Sequence, residues 1–181
     1  MELFLPKKIV IKPAVVWPDF VATLILEEIF LLSNQGRRIS VMLTGGRSVR
    51  TIYSAWLASP EFWSISNVDF FIGDERCVPV EHEESNSGMV RRALFGKGMP
   101  TGSQFFPMLA VGDMECLARV YETILPEKVD VLLLSVGEDG HIASLFPGSS
   151  ALAEDRRCVV PVSGPKAPHD RLTITPNVIR N

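Results

Sequence analysis

Short apolar runs rich in β-branched residues recur along the chain at 9–11, 39–43, 68–72, 129–136, 159–162 and 172–175. Runs of this length, bounded by polar or glycine-rich turns, predict strands. Between them the apolar spacing changes to that of a helix. Over 48–58, Val49, Ile52, Tyr53, Trp56 and Leu57 fall at i, i+3, i+4, i+7 and i+8 and share one face. Asp113 is placed to cap a helix in which Met114, Leu117, Ala118, Tyr121 and Leu125 repeat that spacing. Ser85 is placed to cap another that runs through Leu94. The most apolar stretch, 20–32, carries Glu27 and Glu28 and is too short to span a bilayer, which predicts a well-buried helix.

Strands alternating with helices predict an α/β domain with a largely parallel sheet. Leu132, Leu133 and Leu134 in a row fit a central strand buried on both faces. The segment 95–107, rich in Gly, Pro and Ser, reads as a loop linking two halves of one domain. The chain shows neither an internal repeat nor a low-complexity segment.

Composition narrows the class. With 181 residues, 46% hydrophobic and 22% charged, the chain suffices for one domain with a real core over 1–181. A net charge of −3 without a Lys/Arg run argues against nucleic acid as the main partner, yet leaves room for a small anion held by a few local cations. Cys77, Cys116 and Cys158 are odd in number and widely spaced. They suit a reducing cytosol and suggest neither a disulfide frame nor a zinc site. Residues 1–8 lack the basic-then-apolar order of a signal peptide. A cytoplasmic protein without a membrane partner is the expectation.

The candidate chemistry is positional. Three predicted strands run straight into polar or glycine-rich motifs: Thr44-Gly45-Gly46-Arg47-Ser48, Gly73-Asp74-Glu75-Arg76 and Gly137-Glu138-Asp139-Gly140-His141. In an open α/β sheet, ligands bind beyond the carboxyl ends of parallel strands, so these motifs should share one crevice. The first is a glycine turn feeding a helix, which suits a phosphate cradle but equally an ordinary tight turn. It is neither a Walker A loop nor a dinucleotide fingerprint. The second brings two carboxylates and Arg76 together; Arg suits bidentate phosphate recognition, while a surface ion pair is the simpler reading. In the third, Asp139 lies two residues before His141. A carboxylate there fixes the imidazole tautomer and prepares a general base, although an isolated histidine is more often structural. No Ser or Cys sits in a nucleophile elbow, so water is the nucleophile to consider. Lys166 and Arg171 place two cations before the last strand, in what otherwise reads as a solvated loop. His82 and His169 show no partner in the sequence.

Taken together these segments resemble the 6-phosphogluconolactonase family. The resemblance rests on Gly73-Asp74-Glu75-Arg76-Cys77-Val78-Pro79 followed by Ser85-Asn86 and Gly88-Met89, on Val136 through Ser149, and on Pro165-Lys166-Ala167-Pro168 with Arg171-Leu172-Thr173. It extends over about 9–179, in matching order. It implies a Rossmann-like open sheet with helices on both faces, and hydrolysis of 6-phospho-D-glucono-1,5-lactone to 6-phosphogluconate in the oxidative pentose phosphate route. It also implies His141 as general base, Asp139 as its orienter, Gly45, Gly46 and Arg76 as the phosphate holders, and Lys166 and Arg171 as completing the anion pocket; Thr44, Arg47, Ser48 and Asp74, in the same motifs, are further binding candidates. No motif calls for a metal, nucleotide or other cofactor.

Two departures stand out. The family's glycine loop usually reads Gly-Gly-Ser-Thr-Pro, where this chain has Gly45-Gly46-Arg47-Ser48-Val49; Arg47 either adds a phosphate contact or points to solvent. Family members also generally continue beyond the equivalent of Asn181, supplying another strand and terminal helices. A C-terminally incomplete domain should leave apolar surface exposed and favour self-association. Two other readings compete. One is a same-fold glucosamine-6-phosphate deaminase or isomerase, whose motifs differ at Arg76 and around Ser144. The other is a non-catalytic sugar-phosphate-binding module.

Overall fold

A computed structural model describes residues 8–33 and 35–180. The opening segment read for a signal peptide lies outside them, apart from Lys8. Two of the predicted strands appear with the expected ends. β1 (Ile39–Leu43) is buried at every position, and β2 (Val68–Ile72) pairs with it in parallel from Ile39 opposite Val68 to Leu43 opposite Ile72. A strand walled on both faces must be apolar at consecutive positions, and these two are. The third motif strand is shorter than expected. Only β5 (Val131–Leu132) pairs with β1, and it lies at the sheet edge with Leu132, Leu133 and Leu134 half-buried. The leucine run therefore lines an outer strand, not the central one; the apolar run alone did not say how many neighbours the strand has.

The parallel sheet has the order β4-β2-β1-β5. β4 (Gln104–Phe105) falls inside the segment read as a linking loop, and its pairing with β2 is too short to leave a periodic signal. Residues 9–11 form no strand. Ile9 and Ile11 are exposed and have no strand partner among the described residues. A second, antiparallel sheet has the order β3-β7-β6, built from β3 (Asp74–Arg76), β6 (Val159–Ser163) and β7 (Asp170–Ile174). β3 follows β2 after Gly73 alone. The Gly73 N–H donates to Leu43 O of the parallel sheet at 3.0 Å, and its carbonyl accepts from Ile174 N of the antiparallel sheet at 2.9 Å.

Helices flank the parallel sheet. α1 (Trp17–Ser33) buries Val21, Ala22, Ile25, Leu26 and Ile29, but exposes Leu24 and Leu31, so it is one-sided and not buried all round. α2 (Val49–Ala58) presents the predicted stripe; its Trp56 indole N–H donates to Ala22 O of α1 at 2.9 Å. After α3 (Pro60–Ser64) come α4 (Asn86–Ala93) and α5 (Met114–Ile124). The expected caps are present: Ser85 Oγ accepts from Gly88 N, and Asp113 Oδ1 accepts from Cys116 N. Together with α6 (Pro176–Arg180), these elements enclose one apolar cluster that spans both sheets, from Ile29 and Trp56 to Leu172 and Ile174. No helix among the described residues is long and apolar enough to cross a membrane.

Candidate active site

Polar contacts link the segments that carry the three strand-end motifs, through Ser135, Asn86 and Ser144 beside them. Thr44 closes β1, with its hydroxyl 3.4 Å from Ser135 Oγ at the end of the β5 segment. Gly45 follows with its Cα set against the Asn86 side chain; a Cβ there would stand 1.8 Å from Asn86 Oδ1. Gly46 takes a φ of +102°, a turn conformation that an L side chain rarely adopts. Arg47 and Ser48 are exposed at the start of α2, and neither side chain makes a hydrogen bond or ion pair among the described residues. The glycine turn therefore runs directly into a helix N-terminus, an arrangement that favours an anion.

Asp74 sits below this turn. It is buried, and both carboxylate oxygens are engaged: Oδ1 accepts from Asn86 Nδ2 at 3.1 Å and Oδ2 accepts from Ser144 Oγ at 2.7 Å. At 6% exposure, with its oxygens turned to Asn86 and Ser144, Asp74 belongs to the framework beneath the turn and not to the lining of the ligand pocket expected from the sequence. Glu75 is buried too. Its Oε1 accepts from Arg76 N and Asn86 N, and its Oε2 from Ser85 Oγ and Ser87 N. Burial pushes this carboxyl above the usual glutamate range, and the hydrogen bonds from Ser87, Asn86 and Arg76 pull it partly back.

Arg76 and Arg171 lie opposite each other across the β3–β7 pairing. Arg76 Nη1 donates to the Glu84 carbonyl and forms an ion pair with its carboxylate at 3.0 Å, while its Nε is buried without a partner among the described residues. Arg171 donates only to the carbonyls of Pro168 and Lys166 and has no carboxylate within ion-pair distance among the described residues. Burial and the neighbouring Arg76 charge lower its pKa. Asp74 and Glu84 act on Arg171 from a distance without forming an ion pair, so its guanidinium remains available to an anion. Lys166 is exposed and pairs loosely with Glu138 at 3.7 Å, so the cation loop reaches the histidine loop.

His141 stands on a tight turn after β5, in which Gly140 N donates to Gly137 O, and Gly137 N to His141 O. Its Nδ1 is hydrogen-bonded to Asp139 Oδ1, which holds the Asp139 carboxyl below the usual carboxylate range. With Nδ1 carrying the proton, Nε2 offers a lone pair, and it makes no hydrogen bond among the described residues. Phe146 packs against the imidazole with ring centroids 4.7 Å apart, and its ring also lies under the Arg171 guanidinium at 5.4 Å. One aromatic side chain thus touches both the imidazole and the unpaired cation. A cavity of about 700 Å³ borders this face, lined in part by Asp139, Phe146, Ser149, Ser163 and Gly164. His169 caps its own loop, its Nδ1 within 2.8 Å of Gly164 O, and His82 Nδ1 accepts from Glu84 N at 3.1 Å. Among the described residues neither side chain is hydrogen-bonded to any of the three strand-end motifs: His82 reaches only Glu84, and His169 only the backbone of Gly164 at the cavity wall.

The chain is similar to known proteins in sequence and in fold. The family model described as glucosamine-6-phosphate isomerases/6-phosphogluconolactonase matches residues 17–181. The chain belongs to this family. Members similar to it include the 6-phosphogluconolactonase of Pseudomonas aeruginosa, 39% identical over 153 residues that cover 79% of this chain and 62% of the relative. That of Mycobacterium tuberculosis is 36% identical over 160 residues, 80% of this chain and 64% of the relative. The chain thus spans under two-thirds of the length of these relatives. Among solved structures, 6-phosphogluconolactonase from Trypanosoma cruzi superposes with a TM-score of 0.80 at 28% identity, covering 97% of this chain and 76% of that one. The Thermotoga maritima enzyme gives 0.76 at 25% identity, over 88% and 73%. The family assignment agrees with the α/β class and with the resemblance read from the motifs. Sequence reasoning missed Asn86, Ser144 and Phe146 as parts of this family member's site. Each lay within a quoted motif, but the contacts of Asn86 and Ser144 with Asp74, and of Phe146 with Arg171, join separate motifs.

Proposed function

We propose that the chain hydrolyses 6-phospho-D-glucono-1,5-lactone to 6-phosphogluconate. The observation that carries this reading is the His141 imidazole, tied at Nδ1 to Asp139 and open at Nε2, joined through Phe146 to a guanidinium that lacks a counter-ion. The phosphate is held by the Gly45–Gly46 turn, Arg76 and Arg171, with Lys166 and Arg47 at the rim. That remote binding positions the lactone carbonyl. His141 Nε2 takes a proton from water, which attacks C1. The tetrahedral oxyanion is met by backbone N–H groups of a glycine turn. The ring oxygen leaves and receives its proton from His141. A cytoplasmic location belongs to this reading, with Cys77, Cys116 and Cys158 all as free thiols. The test is acid release from freshly made lactone, with spontaneous opening subtracted. Rates equal to background at all protein concentrations sink the proposal.

Two predictions sharpen it. Arg171→Ala removes the charge-assisted contact to the phosphate, and KM should rise about tenfold or more with a smaller change in kcat. Steady-state kinetics across lactone concentrations check this. Gly137→Ala places a Cβ within 2.1 Å of His141 Cε1, so the ring must swing away. kcat should fall about tenfold or more while the urea midpoint barely moves.

The deaminase or isomerase reading requires a free base for the sugar C2 proton. Asp74 is buried, 6% exposed, with its oxygens turned to Asn86 and Ser144 and away from solvent. Ammonia release from glucosamine-6-phosphate should therefore be absent. A binding module without turnover has no use for an oriented imidazole.

A further inference from the structure

The His141 turn contains a strained residue, Ala143, with a φ of +53°. Directly after it, Ser144 is fully buried and tied twice to the antiparallel sheet. Its N–H donates to Thr173 Oγ1 at 3.0 Å and its Oγ donates to Asp74 Oδ2 at 2.7 Å. The other Asp74 oxygen accepts from Asn86, whose side chain is the surface against which Gly45 packs. One buried chain of contacts therefore runs from the histidine turn, through a carboxylate, to the underside of the glycine turn. None of these three side chains is exposed enough to meet a ligand: Ser144 is 0%, Asn86 3% and Asp74 6% accessible.

We infer that Ser144 is a positioning residue, setting the place of the His141 imidazole relative to the Gly45 turn through its hydrogen bond to Asp74 and, beyond it, Asn86. The inference rests on the lactonase reading for its kinetic consequence, but not for its structural one. A hydroxyl that only filled space could be replaced by hydrogen with little effect on the imidazole. A hydroxyl that fixes the turn, once removed, lets Ala143 relax and moves the ring, while the cations on β3 and β7 stay in place.

The experiment is Ser144→Ala, with Ser144→Cys as the variant that keeps a weak donor in the same space. kcat for lactone opening should fall about tenfold to a hundredfold in Ser144→Ala with KM changed less than about twofold, and Ser144→Cys should recover part of the loss. Asp74→Asn should act non-additively with Ser144→Ala on kcat, because both disturb one contact. Independent of turnover, the His141 ring resonances lie in the ring current of Phe146, so their NMR shifts report ring position. Ser144→Ala should move them while the rest of the spectrum keeps its dispersion. Unmoved His141 resonances overturn the inference whether or not the wild type is active. An active wild type with additive effects, or with KM rising in step with the fall in kcat, overturns it too. A wild type without turnover whose His141 resonances do shift sinks the lactonase reading and leaves the positioning role standing.

Discussion

His141→Ala should abolish most of the catalysed lactone opening, lowering kcat about 10²–10⁴-fold and leaving the spontaneous reaction as the floor. The side chain is the only imidazole joined to the crevice motifs among the described residues, and its removal leaves the anion site intact. KM for the lactone, and the affinity for 6-phosphogluconate by titration, should therefore change little. Retained turnover in the purified variant would place the base elsewhere. The acid limb of the pH profile adds a second check. Asp139 is held below the usual carboxylate range by its hydrogen bond to His141, so it stays ionised as pH falls from neutrality. Activity should then show no loss from Asp139 protonation until pH falls below the ordinary aspartate range. For stability the sign follows from the depressed pKa. The Asp139 contribution is present above the ordinary aspartate range and is lost as pH falls through the lowered folded value. The carboxylate is solvent-exposed, so that contribution is small.

The largest stability effect at the site should come from Glu75→Gln. Each carboxylate oxygen of Glu75 accepts from two donors, Arg76 N and Asn86 N on one side, Ser85 Oγ and Ser87 N on the other. An amide supplies one acceptor and one donor of nearly the same shape. Turned toward Arg76 N and Asn86 N its NH₂ faces two donors; turned toward Ser85 and Ser87 it strands the Ser87 N–H, while the Ser85 hydroxyl can turn to accept. The cost should be about 2 kcal/mol, from at least one stranded buried donor at ~1–3 kcal/mol. Urea unfolding with an unchanged slope would register this as a lower midpoint. Because Ser85 and Asn86 start α4, amide exchange there should speed up before exchange in β1 does. A midpoint within experimental error of wild type would mean that the pocket rearranges to satisfy the amide.

Why some elements were legible and others were not follows from what surrounds them. β1 and β2 are interior strands with both faces covered, so an unbroken apolar run was a faithful signal. The same signal misled at 9–11, where three residues have no strand partner among the described residues, and at Leu132–Leu134, where the run is real but the strand has one neighbour among them. β4 contributes two residues and leaves no period at all. Asp139 and His141 were visible because the pair is local, two residues apart. Asn86 and Ser144 were not, because Asp74 meets them from 12 and 70 positions away. The short β3 was hidden in a motif whose charged residues read as a loop. Its backbone pairs with β7, almost a hundred residues downstream, while Asp74 and Glu75 are buried against side chains and N–H groups of 85–87 and Ser144.

The passage of the chain through Gly73 carries a mechanical consequence. The imidazole belongs to the end of the parallel sheet, the two guanidiniums to the antiparallel one, and Gly73 is hydrogen-bonded to both. The reach between base and cations is therefore an angle between two plates hinged at one residue and latched at Ser144. A sugar phosphate that engages both ends is a strut across that hinge. Bound ligand should stiffen the joint between the plates more than it stiffens either plate, and a ligand one bond too long would be felt first as a twist at Gly73.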